Sequence, residues 1–353
     1  MTTQERVLRM IEHKEADRIP ITDTPWRGTL QRWQAEGMPA DAEWDRFFDV
    51  DLFANIGIDN SPRYPEEVLE ETEEYRIVTT PWGVTIRERR GIIDSTPEFL
   101  GYKVNTPDAW REAKARMVPT EDRVDWAALE RNYRRWRQEG RWITGTFWFG
   151  YDVLHSWMAG METVLIGMME DPEWIIDMVN HYLDTTIALF DKVWERGYHF
   201  DSIFWYDDMG YKHTPFFSRN TYRTILQPAH RRAVEWAHAH GIKAELHSCG
   251  FIEPLLPDIL DCGIDVLNPV EVKAGMDPVK LKGMYGDRLT FHGGVNAVLW
   301  DKPEAIEEEI RRVVPLMKQN GGYIFSSDHS IPNTVSLADF RRIVALVKEV
   351  GRY

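Results

Sequence analysis

The chain has 353 residues, of which 43% are hydrophobic and 28% charged, and this balance is typical of a folded protein and excludes wholesale disorder. Its 42 basic and 57 acidic side chains give a net charge of −15, which disfavours a nucleic-acid partner because it repels phosphate backbones. No apolar run approaches the ~20 residues that span a bilayer, so no membrane partner is expected. The N-terminal stretch reads as a charged amphipathic helix and not as a signal peptide. The two cysteines, Cys249 and Cys262, are too few for a disulfide framework, and we predict a cytoplasmic protein.

Eight short, mostly apolar runs alternate with helical stretches, and most of them have the composition of strands that are buried on both faces of a parallel sheet. They are residues 18–22, 51–58, 142–149, 201–207, 243–247, 265–269, 289–292 and 323–326. This alternation predicts an α/β fold, a (β/α)8 TIM barrel whose active site lies at the carboxyl ends of the strands. The alternative is an open, doubly wound sheet. The absence of a Gly-x-Gly-x-x-Gly motif after the first run disfavours a dinucleotide-binding version of it.

Two stretches interrupt the alternation. Residues 74–92 have two strand-like halves around Pro81-Trp82-Gly83, and they predict a β-hairpin inserted after the second strand. Residues 105–140 are charged and helical, and we expect them to lie outside the barrel, as we do for extra helices at the N-terminus. We therefore predict a single domain over residues 1–353.

Polar side chains that are suited to metal or acid–base chemistry follow five consecutive runs. His247 and Cys249 are two residues apart in an extended strand end, so they point to the same side and could bind one Zn²⁺. His329, after the last strand, is a candidate third ligand, and three protein ligands with one open position are typical of catalytic zinc sites. The alternative is a buried, hydrogen-bonded histidine beside a core cysteine.

Asp207 and Asp208 follow the fourth run and are the predicted catalytic residues. Adjacent side chains in a strand point to opposite faces, so one carboxylate would face the barrel mouth as a general acid/base or substrate anchor. The other could cap the next helix. The predicted substrate-binding residues are aromatic and polar side chains at or near strand ends, although a core position is the alternative for the aromatic ones: Trp148, Trp205, Tyr206, Asn268, Glu271 and His292.

Over nearly its whole length the sequence resembles the uroporphyrinogen decarboxylase superfamily. The matching segments include TTQERVLRMIEHKEADRIPI, YRTILQPAHRRAVEWAHAHGIKAELHSCG, LTFHGGV and GGYIFSSDHSIPN. The resemblance implies a (β/α)8 barrel and one of two chemistries. The true decarboxylases use no metal and hold a tetrapyrrole with many carboxylates through an arginine-rich motif after the first strand. That region reads DTPWRGTLQRW here, with Arg27 and Arg32 but without the family's arginine-glutamine-alanine-glycine-arginine pattern.

The other branch consists of zinc-dependent methyltransferases that work with corrinoid proteins and carry a His-x-Cys and a later cysteine. His247 and Cys249 match the first part, and His329 stands where the later cysteine would fall. The resemblance therefore implies one Zn²⁺ per chain. The corrinoid would be supplied by a partner protein, because the chain has no Asp-x-His-x-x-Gly motif of its own.

The methyl donor is inferred from the ligands. A neutral imidazole in place of a thiolate leaves zinc a stronger Lewis acid that prefers oxygen to a thiol. With the aromatic residues at the strand ends, this predicts a methoxylated aromatic donor, an O-demethylation and transfer of the methyl group to Co(I).

Two other functions compete with this prediction. In a metal-free decarboxylase of a tetrapyrrole or a related carboxylic acid, His329 and Asp207 or Asp208 would handle protons and Arg27 would hold a carboxylate. A non-catalytic corrinoid-handling or scaffold protein is the third hypothesis, which the polar strand ends disfavour. A homodimer is left open.

Overall fold

The computed structural model describes residues 1–91 and 96–353. Within these residues the chain forms two β-sheets. In chain order the strands are β1 (Phe53–Gly57), β2 (Val68–Glu71), β3 (Tyr75–Thr79), β4 (Val84–Arg89), β5 (Glu98–Tyr102), β6 (Trp142–Trp148), β7 (Ser202–Tyr206), β8 (Lys243–His247), β9 (Val266–Asn268), β10 (Thr290–His292) and β11 (Tyr323–Ile324).

The central sheet is curled and parallel, with the strand order β1-β6-β7-β8-β9-β10-β11. These seven strands lie within seven of the eight predicted runs, so the predicted α/β class is confirmed. The eighth run, residues 18–22, is not a regular strand. Ile21 forms a single parallel bridge with Phe325, and the carbonyl oxygen of Ile21 accepts a 3.0 Å hydrogen bond from the backbone N–H of Asp51. Because Pro20 has no N–H, this segment cannot extend a ladder of hydrogen bonds.

Helices connect the strands of the central sheet. They are α1 (Thr3–Ile11), α2 (Arg27–Ala35), α3 (Trp44–Phe47), α4 (Pro107–Arg116), α5 (Trp126–Gln138), α6 (Met161–Glu170), α7 (Pro172–Glu195), α8 (Arg219–Thr221), α9 (Gln227–Ala239), α10 (Leu256–Leu260), α11 (Pro278–Tyr285), α12 (Pro303–Met317) and α13 (Leu337–Val350), with π-helical turns at Val153–Met158 and Tyr222–Leu226 and short 3₁₀ turns at Glu121–Arg123, Glu253–Leu255, Val272–Ala274 and Ala297–Leu299. In the described part of the chain, no helix combines the length and the apolar character needed to cross a bilayer.

The inserted sheet is antiparallel and has the order β2-β3-β4-β5. Its middle pair, β3 and β4, corresponds to the predicted hairpin around Pro81–Gly83, and β2 and β5 flank this pair. Residue 92, the last of the predicted hairpin, lies outside the described residues. Trp82 in the β3–β4 turn stacks on Tyr182 of α7, with ring centroids 5.9 Å apart, and this contact fixes the insertion to the central layer.

The predicted outer elaboration consists of α4 and α5. Helix α4 begins with the Thr106 cap, whose hydroxyl accepts a hydrogen bond from the N–H of Ala109, and it has Pro107 in its first turn. Trp110 also stacks on Tyr182, and its indole N–H donates a 2.8 Å hydrogen bond to Asp177 of α7. The insertion and the elaboration therefore meet on the same helix.

Strand residues alternate between the two faces of the central sheet, and this alternation positions the site. Ile203 and Trp205 of β7, like Ala244 and Leu246 of β8, are buried between the sheet and the helices. Side chains of the opposite parity line a cavity inside the curl of the sheet, among them Phe204, Tyr206, Glu245 and His247.

Candidate metal centre

Three potential metal ligands meet at the carboxyl ends of β7 and β8. Nε2 of His247 lies 3.3 Å from Sγ of Cys249 and 3.5 Å from a carboxylate oxygen of Asp208. One ligand atom from each side chain lies within 4.8 Å of the other two, and within residues 1–91 and 96–353 this is the only such group of three or more. All three side chains are half-buried.

The spacing of these atoms suits zinc. With zinc–nitrogen, zinc–oxygen and zinc–sulfur bonds of about 2.0–2.3 Å, tetrahedral geometry separates nitrogen from sulfur by about 3.6 Å and nitrogen from oxygen by about 3.4 Å. The corresponding separations, 3.3 Å and 3.5 Å, are each within 0.3 Å of these values. The donor set of one imidazole, one thiol and one carboxylate is also drawn from the side chains that bind zinc in proteins.

Two glycines bring the ligand-bearing loops together. Gly210 follows β7 and Gly250 follows β8, and a Cβ built on Gly250 would lie 2.2 Å from the backbone of Gly210. Across this contact the N–H of Gly210 donates to the carbonyl oxygen of Cys249 over 3.2 Å, and the backbone N–H of Cys249 donates to Asp208 over 2.7 Å. The close approach of the two loops thus places the carboxylate of Asp208 beside the thiol.

Asn268 fixes the protonation of His247. The amide Nδ2 of Asn268 donates to the backbone carbonyl of His292 over 2.9 Å, so its Oδ1 faces Nδ1 of His247 at 2.5 Å. An amide oxygen only accepts hydrogen bonds, so Nδ1 of His247 carries the proton and Nε2 presents its lone pair to Cys249 and Asp208.

The surroundings of Cys249 are acidic. Glu271 lies nearby and accepts a 2.5 Å hydrogen bond from the N–H of Gly250. Burial, together with the charges of Asp208 and Glu271, raises the pKa of the Cys249 thiol well above its usual value. Burial and the neighbouring Asp208 and Asp207 likewise raise the pKa of Asp152 far above its ordinary value. A divalent cation would compensate this concentration of negative charge.

His329, the predicted third ligand, lies outside the cluster of three, where Asp208 takes its place. Its ring contacts Trp26 edge-on at 5.9 Å, and its side chain lines the cavity next to the cluster. Burial and then the charge of Lys273 lower the pKa of His329.

The two adjacent acids point in opposite directions. Asp207 is fully buried towards the helices, where its carboxylate lies 2.9 Å from Nε2 of His230 and accepts a 2.9 Å hydrogen bond from the N–H of Asp152. Burial raises the pKa of Asp207 despite the hydrogen bond to His230. Trp205, with the same parity, packs on His230 at a ring distance of 5.6 Å. Neither Asp207 nor Trp205 lines the cavity, and both are buried against His230 instead.

The cavity has a volume of about 270 Å³ and opens at the carboxyl ends of the strands; we call it the mouth cavity. Tyr206, Asn268 and His292 of the predicted substrate site line it. Burial and the nearby His247 lower the pKa of His292 to about 4. The full lining is Thr22, Asp23, Thr24, Phe53, Asn55, Thr144, Thr146, Phe204, Tyr206, Glu245, His247, Asn268, His292, Ser326, His329 and Ser330.

Two other predicted substrate-binding residues, Trp148 and Glu271, lie outside the lining of the mouth cavity. Trp148 is 39% exposed and packs on Tyr206 with ring centroids 5.2 Å apart, at the rim of the mouth cavity. Glu271 lines a second cavity of about 390 Å³, which Cys249 also lines. Its carboxylate is 3.3 Å from the ammonium group of Lys273, which lines the same cavity.

The sequence prediction missed two acids of the mouth cavity. Asp23 follows the first run, and it accepts hydrogen bonds from the backbone N–H and the hydroxyl of Ser327 at 2.6 Å and 2.9 Å. Burial raises the pKa of Asp23 to about 6. Glu245 lies inside β8, and burial raises its pKa to about 7. The signal for Glu245 was available, because an acid two residues before His247 in a buried strand must share its face.

Comparison with known proteins agrees with the architecture. Over its full length the structure resembles a methyltransferase from Methanosarcina mazei, with a TM-score of 0.67, 17% sequence identity and 99% coverage of both chains, and this likeness shows a common fold. An amidohydrolase is matched over 84% of both chains with 12% identity, and its TM-score of 0.30 carries no argument. No curated protein matches the sequence. The profile of uroporphyrinogen decarboxylase (URO-D) matches residues 151–350, more than half of the chain. The chain belongs to the uroporphyrinogen decarboxylase family.

Proposed function

We propose that the protein is a zinc-dependent methyltransferase that moves a methyl group from a small methylated substrate to the Co(I) corrinoid of a partner protein. The observation that carries the proposal is the cluster of Asp208, His247 and Cys249, whose atoms have the spacing of zinc ligands and of which His247 lines the mouth cavity. The fold shared with a methyltransferase and the membership of the family support it.

Asp208, His247 and Cys249 would hold the zinc ion, with Asp208 in the place first predicted for His329. A zinc ion held there supplies a Lewis acid that polarises an oxygen of the substrate. Asp208 is anionic, so the gain in Lewis acidity expected from a neutral imidazole does not apply. The preference for an oxygen-bound methyl group rests instead on the hard carboxylate donor and the single sulfur of the set. Asn268 keeps the imidazole of His247 in the tautomer that such binding requires.

The mouth cavity favours a small aromatic ether. Phe53, Phe204 and Tyr206 offer flat apolar walls, and the volume of about 270 Å³ is slightly below the usual range of about 300–1,000 Å³ for ligand pockets, which suits a small substrate. Among the described residues that line it there is no lysine or arginine. We therefore propose a methoxylated aromatic compound as the substrate, and the reaction would be an O-demethylation.

His329 is the group we assign to the leaving oxygen. Its lowered pKa keeps the imidazole neutral near pH 7, so that one ring nitrogen carries a proton that it can donate in a hydrogen bond to the developing phenolate. Asp208 is assigned to the metal, and Asp207, buried against His230, is assigned to the scaffold. Neither aspartate is then needed as a general acid.

The partner would approach the open end of the mouth cavity. Trp148 is exposed at this rim, and the corrinoid must reach the substrate from the same side because the strands close the other. The tetrapyrrole decarboxylase is less favoured, because Arg27 is exposed at the start of α2 and Arg32 pairs with Glu36, so neither lines the mouth cavity.

The test combines metal content with methyl transfer. Protein purified without chelator should contain about one zinc per chain. Incubation with a reduced corrinoid protein and a panel of methoxyarenes, methylamines and thioethers should produce the methyl–cobalt spectrum with the methoxyarenes. The protein should not form coproporphyrin from uroporphyrinogen. Methyl transfer by metal-free protein, or decarboxylation of uroporphyrinogen, would contradict the proposal.

A further inference from the structure

Two polar side chains of the mouth cavity, Glu245 and Thr146, align in the strand register with Phe204, two residues before the level of His247, and we call them the floor of the cavity. We propose that this floor is a specificity subsite for a phenolic hydroxyl group, carried by the substrate on the side of the ring opposite its methoxy group. The inference rests on the proposed function and narrows its substrate class from methoxyarenes in general to hydroxylated ones.

The strand geometry sets the distance between the two ends of this substrate. Glu245 and His247 are on the same strand, two residues apart, and both line the mouth cavity. At about 3.3 Å per residue, their positions along the strand differ by about 6.6 Å. This is close to the span of one benzene ring with an oxygen substituent at each end, so a ring whose ether oxygen is near His247 brings its para substituent to the level of Glu245.

Glu245 is a buried acid without a cationic partner. It is 3% exposed, and within residues 1–91 and 96–353 no lysine, arginine or histidine forms an ion pair with it. The indole N–H of Trp142 donates to Oε1 over 3.1 Å, and the hydroxyl of Ser202 also hydrogen-bonds the carboxyl group. These two donors are neutral and leave acceptor capacity on a group that is costly to bury. The hydroxyl group of a substrate bound in the mouth cavity would donate a hydrogen bond to the remaining acceptor position of Glu245.

Two further polar atoms of the mouth cavity lack partners, one on the floor and one at the level of His247. Oγ1 of Thr146 and Nδ1 of His292 are buried without a hydrogen bond to any described residue, and both side chains line the mouth cavity. Buried polar atoms are nearly always hydrogen-bonded in folded proteins, so a bound molecule is expected to satisfy them. A hydroxyl group suits this floor because it donates one hydrogen bond, to Glu245, and accepts others from a donor such as Thr146.

The purely structural alternative is an ordered water on the floor. Water would satisfy the same atoms and would not discriminate between substrates. The wall above the floor is aromatic, with Phe204 and Tyr206 on the strand next to Glu245, so a ring that is seated there displaces such a water and must replace its hydrogen bonds. Discrimination between a hydroxyl and a methyl substituent therefore separates the two possibilities.

The experiment measures binding of 4-methoxyphenol and 4-methoxytoluene by calorimetry, with zinc-loaded protein and without any corrinoid. These compounds differ only by a hydroxyl in place of a methyl group. The wild type should bind 4-methoxyphenol at least tenfold more tightly. In Glu245→Gln this ratio should fall several-fold, and in Thr146→Val, which keeps the shape of the side chain, it should fall by a smaller factor.

Circular dichroism and zinc content identify any variant that has not folded, and Thr146→Val keeps the test available if Glu245→Gln does not fold. A wild-type ratio near one, equal ratios in wild type and folded variants, or no binding of either compound would overturn the subsite. Because methyl transfer is not involved, discrimination without any methyl–cobalt product would leave the subsite standing and refute the proposed function. Methyl transfer without discrimination between the two compounds would refute the subsite and leave the proposed function standing.

Discussion

Replacing Gly250 by alanine should both destabilise the protein and release its metal, because this residue joins the two loops that carry the cluster. Its φ is +81°, in the left-handed region, and a Cβ there would lie 2.2 Å from the carbonyl carbon and 2.3 Å from the carbonyl oxygen of Gly210. Non-bonded carbon atoms prefer about 3.5–4.0 Å, so the loops must separate by on the order of 1 Å.

The cost has two parts that a control can separate. A left-handed conformation costs a non-glycine residue roughly 1–2 kcal/mol, and overlap in a packed region typically adds about 1–3 kcal/mol, which gives roughly 2–5 kcal/mol for Gly250→Ala. Gly241 has a similar φ of +71°, and a Cβ added to it would meet nothing within 4 Å. Gly241→Ala should therefore show the first part alone.

The assay is urea unfolding of both variants together with their zinc content. Gly250→Ala should lose more unfolding free energy than Gly241→Ala and should bind little zinc, because Asp208 moves away from Cys249 and metal sites tolerate only about 0.2 Å of change. Gly241→Ala should keep its zinc. Equal losses of stability in the two variants, with zinc retained in both, would refute the loop-contact argument.

Three further outcomes are expected. His247→Ala and Cys249→Ala should each lose zinc by elemental analysis, whereas Cys262→Ser should keep it, since Cys262 lies outside the cluster; zinc retained by all three would place the metal elsewhere. Asn268→Leu should weaken zinc binding about 10–100-fold in competition with a chelator, as loss of a partner of a ligating histidine does; unchanged affinity would count against the tautomer argument. The pKa of Asp23 is raised from 3.8 to about 6 in the folded state, so its favourable contribution to stability is present below pH 4 and is lost as pH rises through 6. Unfolding curves should therefore show Asp23→Asn gaining stability relative to the wild type between pH 4 and pH 6. Parallel pH profiles of the two proteins would contradict this.

Most strands of the central sheet could be predicted because they are short apolar runs, and burial on both faces leaves that composition as its signature. The first run carries the same signature and still forms only one bridge with the central sheet, between Ile21 and Phe325. Its Pro20 lacks a backbone N–H, and residues 18–22 reach the sheet through isolated hydrogen bonds with Phe325 and Asp51. The amino-acid composition alone does not show how many backbone hydrogen bonds between strands are lost at a proline.

The site was predictable where it depends on spacing within one strand. The positions of His247 and Cys249 follow from the two-residue repeat of an extended chain. The choice of Asp208 over His329 does not follow, because it depends on the contact between Gly210 and Gly250, which are 40 residues apart and approach only in the folded protein. Each glycine by itself looks like an ordinary turn residue.

The alternation of faces explains why two adjacent aspartates have different roles. In the segment from Trp205 to Asp208, the odd-numbered side chains pack on His230 behind the sheet, and the even-numbered ones face the mouth cavity and the cluster. A shift of one residue would exchange the two faces, burying Asp208 and turning Asp207 towards the mouth cavity. The buried contact between Asp207 and His230 therefore does more than stabilise the helix layer: by holding Asp207 behind the sheet, it fixes the register that turns Asp208 towards the metal.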